Sequence, residues 1–197
     1  MGVCRKKYSY KYYNRHLVKY KEWENDVGKY IFNTFSPDSI LDLGCGVGSY
    51  IEGALLAGCK KVLGIELNFD NAKEYFTDLI CPYIISGDVT INLKLQCKFD
   101  CVISFEVGEH IEPDGTQGFI NNLTSYTNKY IIFTAASPGQ RGTGHINLLD
   151  KNIWIESVVK KGFVYRGDLV DKCKIDWKEF NVESYIIKNL MIFRKDI

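Results

Sequence analysis

From Ser39 onward, short apolar runs alternate with longer amphipathic ones, the pattern of strands and helices laid around a parallel sheet. Strands are predicted over residues 40–43, 61–66, 83–86, 99–105 and 130–135, with crossovers over 50–57, 71–79, a short irregular 90–98, and 116–128. A further helix is signposted by Asp150 as N-cap, by an apolar face of Ile153, Trp154, Val158 and Val159, and by Gly162 as its stop. Two more strand candidates, 163–170 and 184–194, then follow one another with no helix predicted between them. The fold class expected is α/β, a doubly wound and mostly parallel sheet ending in an antiparallel hairpin. Residues 1–37 are expected to form a helical lid or appendage, and 38–197 one domain.

Composition adds little until it is divided along the chain. With 46% hydrophobic and 25% charged residues in 197, disordered and fibrous classes are excluded. The net charge of +1 hides an asymmetry. Residues 1–21 hold seven basic side chains (Arg5, Lys6, Lys7, Lys11, Arg15, Lys19, Lys21) and no acid, leaving 18 basic against 24 acidic residues elsewhere. Tyr8, Tyr10, Tyr12, Tyr13 and Tyr20 are interleaved, and Lys11, Arg15 and Lys19 share one helical face. Such a stripe suits nucleic acid, its cations on phosphates and its rings on bases. It equally suits a solvated face whose tyrosines pack on the domain or over a ligand.

Seven cysteines without a CxxC pair fit neither a zinc knuckle nor a secreted disulfide framework. Cys97, Cys101 and His110 as a shared metal site competes with Cys101 as a buried strand thiol, and no metal is assigned. No apolar window approaches membrane-span length and no signal-peptide core is present. The expectation is therefore a soluble, cytoplasmic protein.

The most informative segment is Ile40-Leu-Asp-Leu-Gly-Cys-Gly-Val-Gly-Ser-Tyr50, an apolar strand breaking into a glycine turn and then a helix. Gly44, Gly46 and Gly48 let backbone approach a ligand, and the helix start offers N–H groups. Glu66 falls at the tip of the second predicted strand, where an acid accepts from ribose hydroxyls. Asp88, after the third strand, faces the same crevice and can accept from an adenine amino group. A dinucleotide fingerprint needs glycine at 49, where Ser49 stands. An acid at Asp42 sits better beside a sulfonium or α-amino group than beside pyrophosphate. Both points turn the reading from NAD to S-adenosylmethionine.

Asp42-Leu-Gly-Cys-Gly-Val-Gly48, Glu66, Gly87-Asp88 and Phe99-Asp-Cys-Val-Ile-Ser-Phe-Glu-Val-Gly-Glu-His-Ile111, in that order and spacing, resemble class I S-adenosylmethionine-dependent methyltransferases of the UbiE/UbiG-like type. The resemblance implies a seven-stranded sheet with an antiparallel last-threaded strand. It also places Asp42, Gly44, Cys45 and Gly46 at the methionine end, Glu66 and Leu67 at the ribose, Asp88 and Val89 at the adenine, and Glu106 beside the cofactor.

Methyl transfer needs acceptor, methyl and sulfur in line and a proton removed from the acceptor. His145 lies in a glycine-dense loop, Ser137-Pro-Gly-Gln-Arg-Gly-Thr-Gly-His-Ile-Asn147, where it is either a general base or a histidine that closes the loop. His110 follows the fourth strand as a positioning group or an alternative base. Glu109, Arg141 and Asn147 are the candidates for contacting the acceptor. After the fourth strand, Ser104-Phe-Glu-Val107 stands where the amino-methyltransferases of adenine or glutamine carry an Asn/Asp-Pro-Pro-aromatic element. The weakly similar segment 139–154 points to sugar and secondary-metabolite hydroxyls. O-methylation of a small molecule or glycan is the expectation, and an RNA or DNA methyltransferase docking through residues 5–21 is the alternative. The oligomeric state is left open by the sequence.

Overall fold

The computed structural model describes residues 9–196, with His16 described by its backbone alone. Arg5, Lys6, Lys7 and Tyr8 of the basic leader lie outside the described residues. A long helix, α1 (Tyr10–Phe35), precedes β1 (Ser39–Leu43), α2 (Ser49–Leu56), β2 (Lys61–Glu66), a one-turn α3 (Phe69–Ala72), β3 (Ile84–Ser86) and β4 (Phe99–Phe105). There follow α4 (Thr116–Ser125), β5 (Thr127–Thr134), α5 (Lys151–Val159), β6 (Phe163–Tyr165), α6 (Gly167–Asp176), α7 (Ser184–Asn189) and β7 (Met191–Lys195). The seven strands make one sheet in the order β3-β2-β1-β4-β5-β7-β6. The first five are parallel and β7 runs antiparallel between β5 and β6.

β1 and β4 are buried at every position, as parallel strands covered on both faces must be. One face packs Ile40, Cys101, Ile103 and Ile132 against Trp23, Val27 and Ile31 of α1, Ile51 of α2, and Trp177. The other packs Leu41, Leu43, Val102, Ile131 and Phe133 against Phe119 of α4 and Trp154 of α5. Asp150 caps α5 as its sequence position predicts, accepting from the Asn152 N–H at 2.8 Å.

Three expectations change. The 71–79 crossover holds only the short α3 and one 3₁₀ turn. The terminal strands pair antiparallel, but α6 and α7 lie between them. Residues 167–176 place Val170 and Cys173 on one buried face, a helical spacing that the apolar pair Leu169-Val170 concealed by continuing the preceding strand pattern. Third, α1 belongs to the core. A Cβ built on Gly28 would lie 2.0 Å from the Tyr50 carbonyl oxygen, and one on Gly53 would lie 2.0 Å from that of Asn25. The backbones of α1 and α2 therefore touch, which larger residues at those positions would prevent.

The same contact is locked by charge. Glu52 accepts from Lys21 at 2.9 Å, Thr77 Oγ1 at 2.6 Å and Asn25 Nδ2 at 3.3 Å. Burial opposes ionisation of Glu52, but these donors prevail and hold its pKa below the usual carboxylate value. A depressed folded pKa stabilises above the unfolded value of about 4.3 and is lost as pH falls through the folded one. Thermal unfolding across pH 3 to 7 should show wild type more stable than Glu52→Gln at neutral pH, with the gap closing below about pH 4. A gap independent of pH would remove the ion pair as the lock.

Candidate functional site

In an open α/β sheet, ligands bind beyond the carboxyl ends of the strands where the order reverses. Here β1 lies between β2 and β4, and one cavity of about 940 Å³ opens over their tips. β1 ends in Gly44-Cys45-Gly46. Gly46 has φ +57, and a Cβ there would meet nothing within 4 Å, so bare backbone faces the cavity. Cys45 is buried, and burial followed by the charges of Asp42 and Glu66 raises its thiol far above the usual value. It is a wall residue and not a nucleophile.

Glu66, at the tip of β2, joins three segments. Its Oε2 accepts from the Gly46 N–H at 2.9 Å, and its Oε1 accepts from the Asn68 N–H at 2.8 Å and the Tyr13 hydroxyl at 2.9 Å. Burial and the Glu66 charge push the Tyr13 phenol far up, so Tyr13 stays a donor. Leu67, Asp88 and Val89 continue the wall. Asp88 Oδ1 accepts from the Thr90 N–H at 2.9 Å and its hydroxyl at 2.6 Å, fixing the turn after β3.

Asp42 lies beneath the glycine turn, outside the cavity wall and 1% exposed. Its Oδ2 has no hydrogen-bond partner. Burial, then the charges of Glu24 and Glu66, raise its pKa well above the carboxyl range. β4 ends at Glu106, whose Oε1 accepts from Asn189 Nδ2 at 3.1 Å. Glu109 is fully buried and neither of its oxygens accepts a hydrogen bond. Burial and the Glu106 charge push its pKa up to about 9. Among the described residues, no lysine or arginine lies within 4 Å of Asp42, Glu106 or Glu109.

The loop between β5 and α5 closes the far side. The Ile146 and Asn147 N–H groups donate to the Glu109 carbonyl at 2.9 and 3.1 Å, bringing His145 beside His110 with ring centroids 5.1 Å apart. His110 Nδ1 donates to the Gly144 carbonyl and His145 Nδ1 to that of Gln140, both at 3.0 Å. A carbonyl only accepts, so each neutral ring carries its lone pair on Nε2. Arg141 is exposed at the rim of the cavity. Asn147 is buried behind the wall, where Nδ2 donates to Thr116 Oγ1 at 2.9 Å; it tethers the loop and does not reach the cavity.

The remaining leader residues divide. Tyr12, Tyr13, Arg15, Tyr20, Trp23 and Glu24 of α1 line the cavity. Lys19 pairs with Glu183 at 2.9 Å and Lys21 with Glu52. Tyr13 and Glu24 were not singled out as site residues from sequence, because no local pattern shows that one helical turn will land on a strand tip 53 positions away. Cys101 is buried in β4 and Cys97 is exposed, with Lys61 Nζ 3.1 Å from its sulfur; neither joins a cluster with His110.

A bare backbone turn, an acid offered to a diol, and a buried carboxylate oxygen without a partner fit a nucleoside with a cationic tail. Residues 41–124 match the family model described as a methyltransferase domain. This segment resembles a methyltransferase domain. No curated protein sequence matches the chain. Three solved structures share the fold of the methyltransferase domain. One is CalS10 with S-adenosylmethionine bound, an amino pentose methyltransferase from Micromonospora echinaspora, at 14% identity, TM-score 0.66, covering 95% of this chain and 96% of that one. Another is Streptomyces venezuelae DesVI, at 13%, 0.67, 94% and 97%. The third is magnesium protoporphyrin IX methyltransferase from Synechocystis PCC 6803 with bound SAH, at 16%, 0.62, 91% and 84%. S-adenosylmethionine is the cofactor of the methyltransferase domain. No helix among the described residues is long and apolar enough to cross a membrane.

Glu66→Ala removes the buried acceptor at the β2 tip. Calorimetry should show S-adenosylmethionine affinity falling at least about tenfold, the scale of losing one hydrogen bond to a charged group. Unchanged affinity would show that Glu66 serves only the packing of α1.

Proposed function

We propose that this protein methylates a hydroxyl group of a small molecule or glycan. The observation that carries the reading is that one cavity, of the volume that small ligands occupy, runs from the Gly46 and Glu66 end to Glu109, His110 and His145. Cofactor and acceptor thus share a chamber roofed by α1. CalS10 and the magnesium protoporphyrin enzyme, by their descriptions, both act on small molecules, which agrees with this reading. The UbiE/UbiG-like subtype belongs to the same proposal, on the Glu106-Val-Gly-Glu-His110 segment after β4.

S-adenosylmethionine, when bound, supplies a methyl group on a sulfonium sulfur that keeps the C–S electron pair when the acceptor oxygen bonds the methyl carbon. The acidic wall of Glu24, Glu66 and Glu106 favours a cationic ligand over pyrophosphate. The Tyr13 hydroxyl occupies one Glu66 oxygen and exchanges with a ribose hydroxyl, one neutral donor for another, so α1 serves as the lid. Asp88 and Val89 take the adenine. The His145 Nε2 lone pair receives the acceptor's proton, its ring held by Gln140, while Arg141 at the rim selects acceptors.

The nucleic-acid alternative draws on the same leader, but Lys19 and Lys21 already pair with Glu183 and Glu52, which leaves less of the stripe for phosphates. A tritiated-methyl screen over sugars, phenols, RNA and DNA separates the two. Labelling is expected on a hydroxyl-bearing small molecule or glycan, and His145→Ala should reduce it at least about 100-fold with S-adenosylmethionine affinity near wild type. Label only on nucleic acid, or full turnover by His145→Ala, would overturn the acceptor class or the base respectively.

A further inference from the structure

We propose that Glu109, His110 and His145 form a binding site for a divalent transition-metal cation of the Mn²⁺ or Zn²⁺ class. One ligand atom from each lies within 4.8 Å of the others, close enough for a single ion to draw them together. The Glu109 carboxyl is fully buried, lines the cavity, and has no hydrogen-bond partner for either oxygen. A side chain of that kind is costly unless something in the cavity meets it.

The two histidines are prepared in the way metal ligands are. Each gives its Nδ1 proton to a backbone carbonyl, Gly144 for His110 and Gln140 for His145. That bond fixes the tautomer and ring orientation, and places the donor lone pair on Nε2. Position 142 is glycine, and a Cβ there would lie 2.0 Å from His145 Nε2, closer than non-bonded atoms approach. Any side chain at 142 would crowd that nitrogen. Two imidazoles and a carboxylate are a donor set for first-row divalent ions, with further positions left for oxygen ligands.

The inference rests on the reading of the cleft as a hydroxyl methylation site and deepens it. An ion at this corner would take the acceptor's hydroxyl oxygen as a ligand and lower its pKa. Without the ion His145 takes that proton directly; with the ion bound, His145 is its ligand and the proton leaves to water.

The test uses the full-length protein after chelator treatment, titrated with Mn²⁺ followed by electron paramagnetic resonance and with Zn²⁺ followed by calorimetry, without any acceptor. One ion per chain is expected, with His145→Ala and His110→Ala each weakening binding at least about tenfold while circular dichroism stays unchanged. His145 is on a surface loop, so its variant keeps the test usable where Glu109→Ala fails to fold. Failure of both ions to bind below millimolar concentration, or binding unaffected by both histidine variants, overturns the proposal. Because the titrations contain no acceptor, their outcome is separate from that of the methyl-transfer screen.

Discussion

The carboxylate of Glu66 is the point at which the rest of the site is tied together. It takes one N–H from the glycine turn after β1, one from Asn68 after β2, and the hydroxyl of Tyr13 from α1. Three segments remote in sequence thereby share one buried anion, and each hydrogen bond to it is charge-assisted. The Gly44 and Cys45 N–H groups also donate to the Ile65 carbonyl at 2.9 and 3.0 Å, so Glu66 adds a side-chain clamp to a turn that the β2 backbone already holds. The cleft's shape depends on those two oxygens, and in the proposed reading they also receive the ribose diol.

The placement of α1 is the second constraint. Its contact with α2 is backbone against backbone at Gly28 and Gly53, and the ion pair of Lys21 with Glu52 secures it. This sets the height of the N-terminal half of α1 over the sheet, which decides that Tyr12, Tyr13 and Glu24 face the cavity. The basic, tyrosine-rich leader is in this sense part of the active cleft. Tyr12, Tyr13 and Tyr20 line the pocket, and Lys19 and Lys21 serve intramolecular ion pairs.

Local pattern carried much of this arrangement. β2 and β4 have the predicted bounds because their apolar runs are bracketed by glycine, lysine and acidic residues that mark both ends. The glycine turn, Glu66 and Asp88 were legible because topology forces residues at strand tips into one crevice. The α6 helix was not, since Leu169 and Val170 imitate a strand until Cys173 and Trp177 complete a helical face. Asn147 looked like a contact residue from its loop, whereas it is buried as a tether to Thr116. The partners of Glu66 and Glu109 arise from contacts between distant segments, which no spacing along the chain reveals.

The central claim is that S-adenosylmethionine lies between the Gly44–Gly46 turn, Glu66 and the inner face of α1. Amide hydrogen exchange with and without S-adenosylmethionine addresses it directly, because exposed turn amides slow when a ligand covers or orders them. The account predicts slower exchange in 44–48, 66–68 and 88–90, with a concurrent change in 10–24 as Tyr13 gives up Glu66. Saturating cofactor that leaves all four segments unchanged, or protects a surface elsewhere, would contradict it.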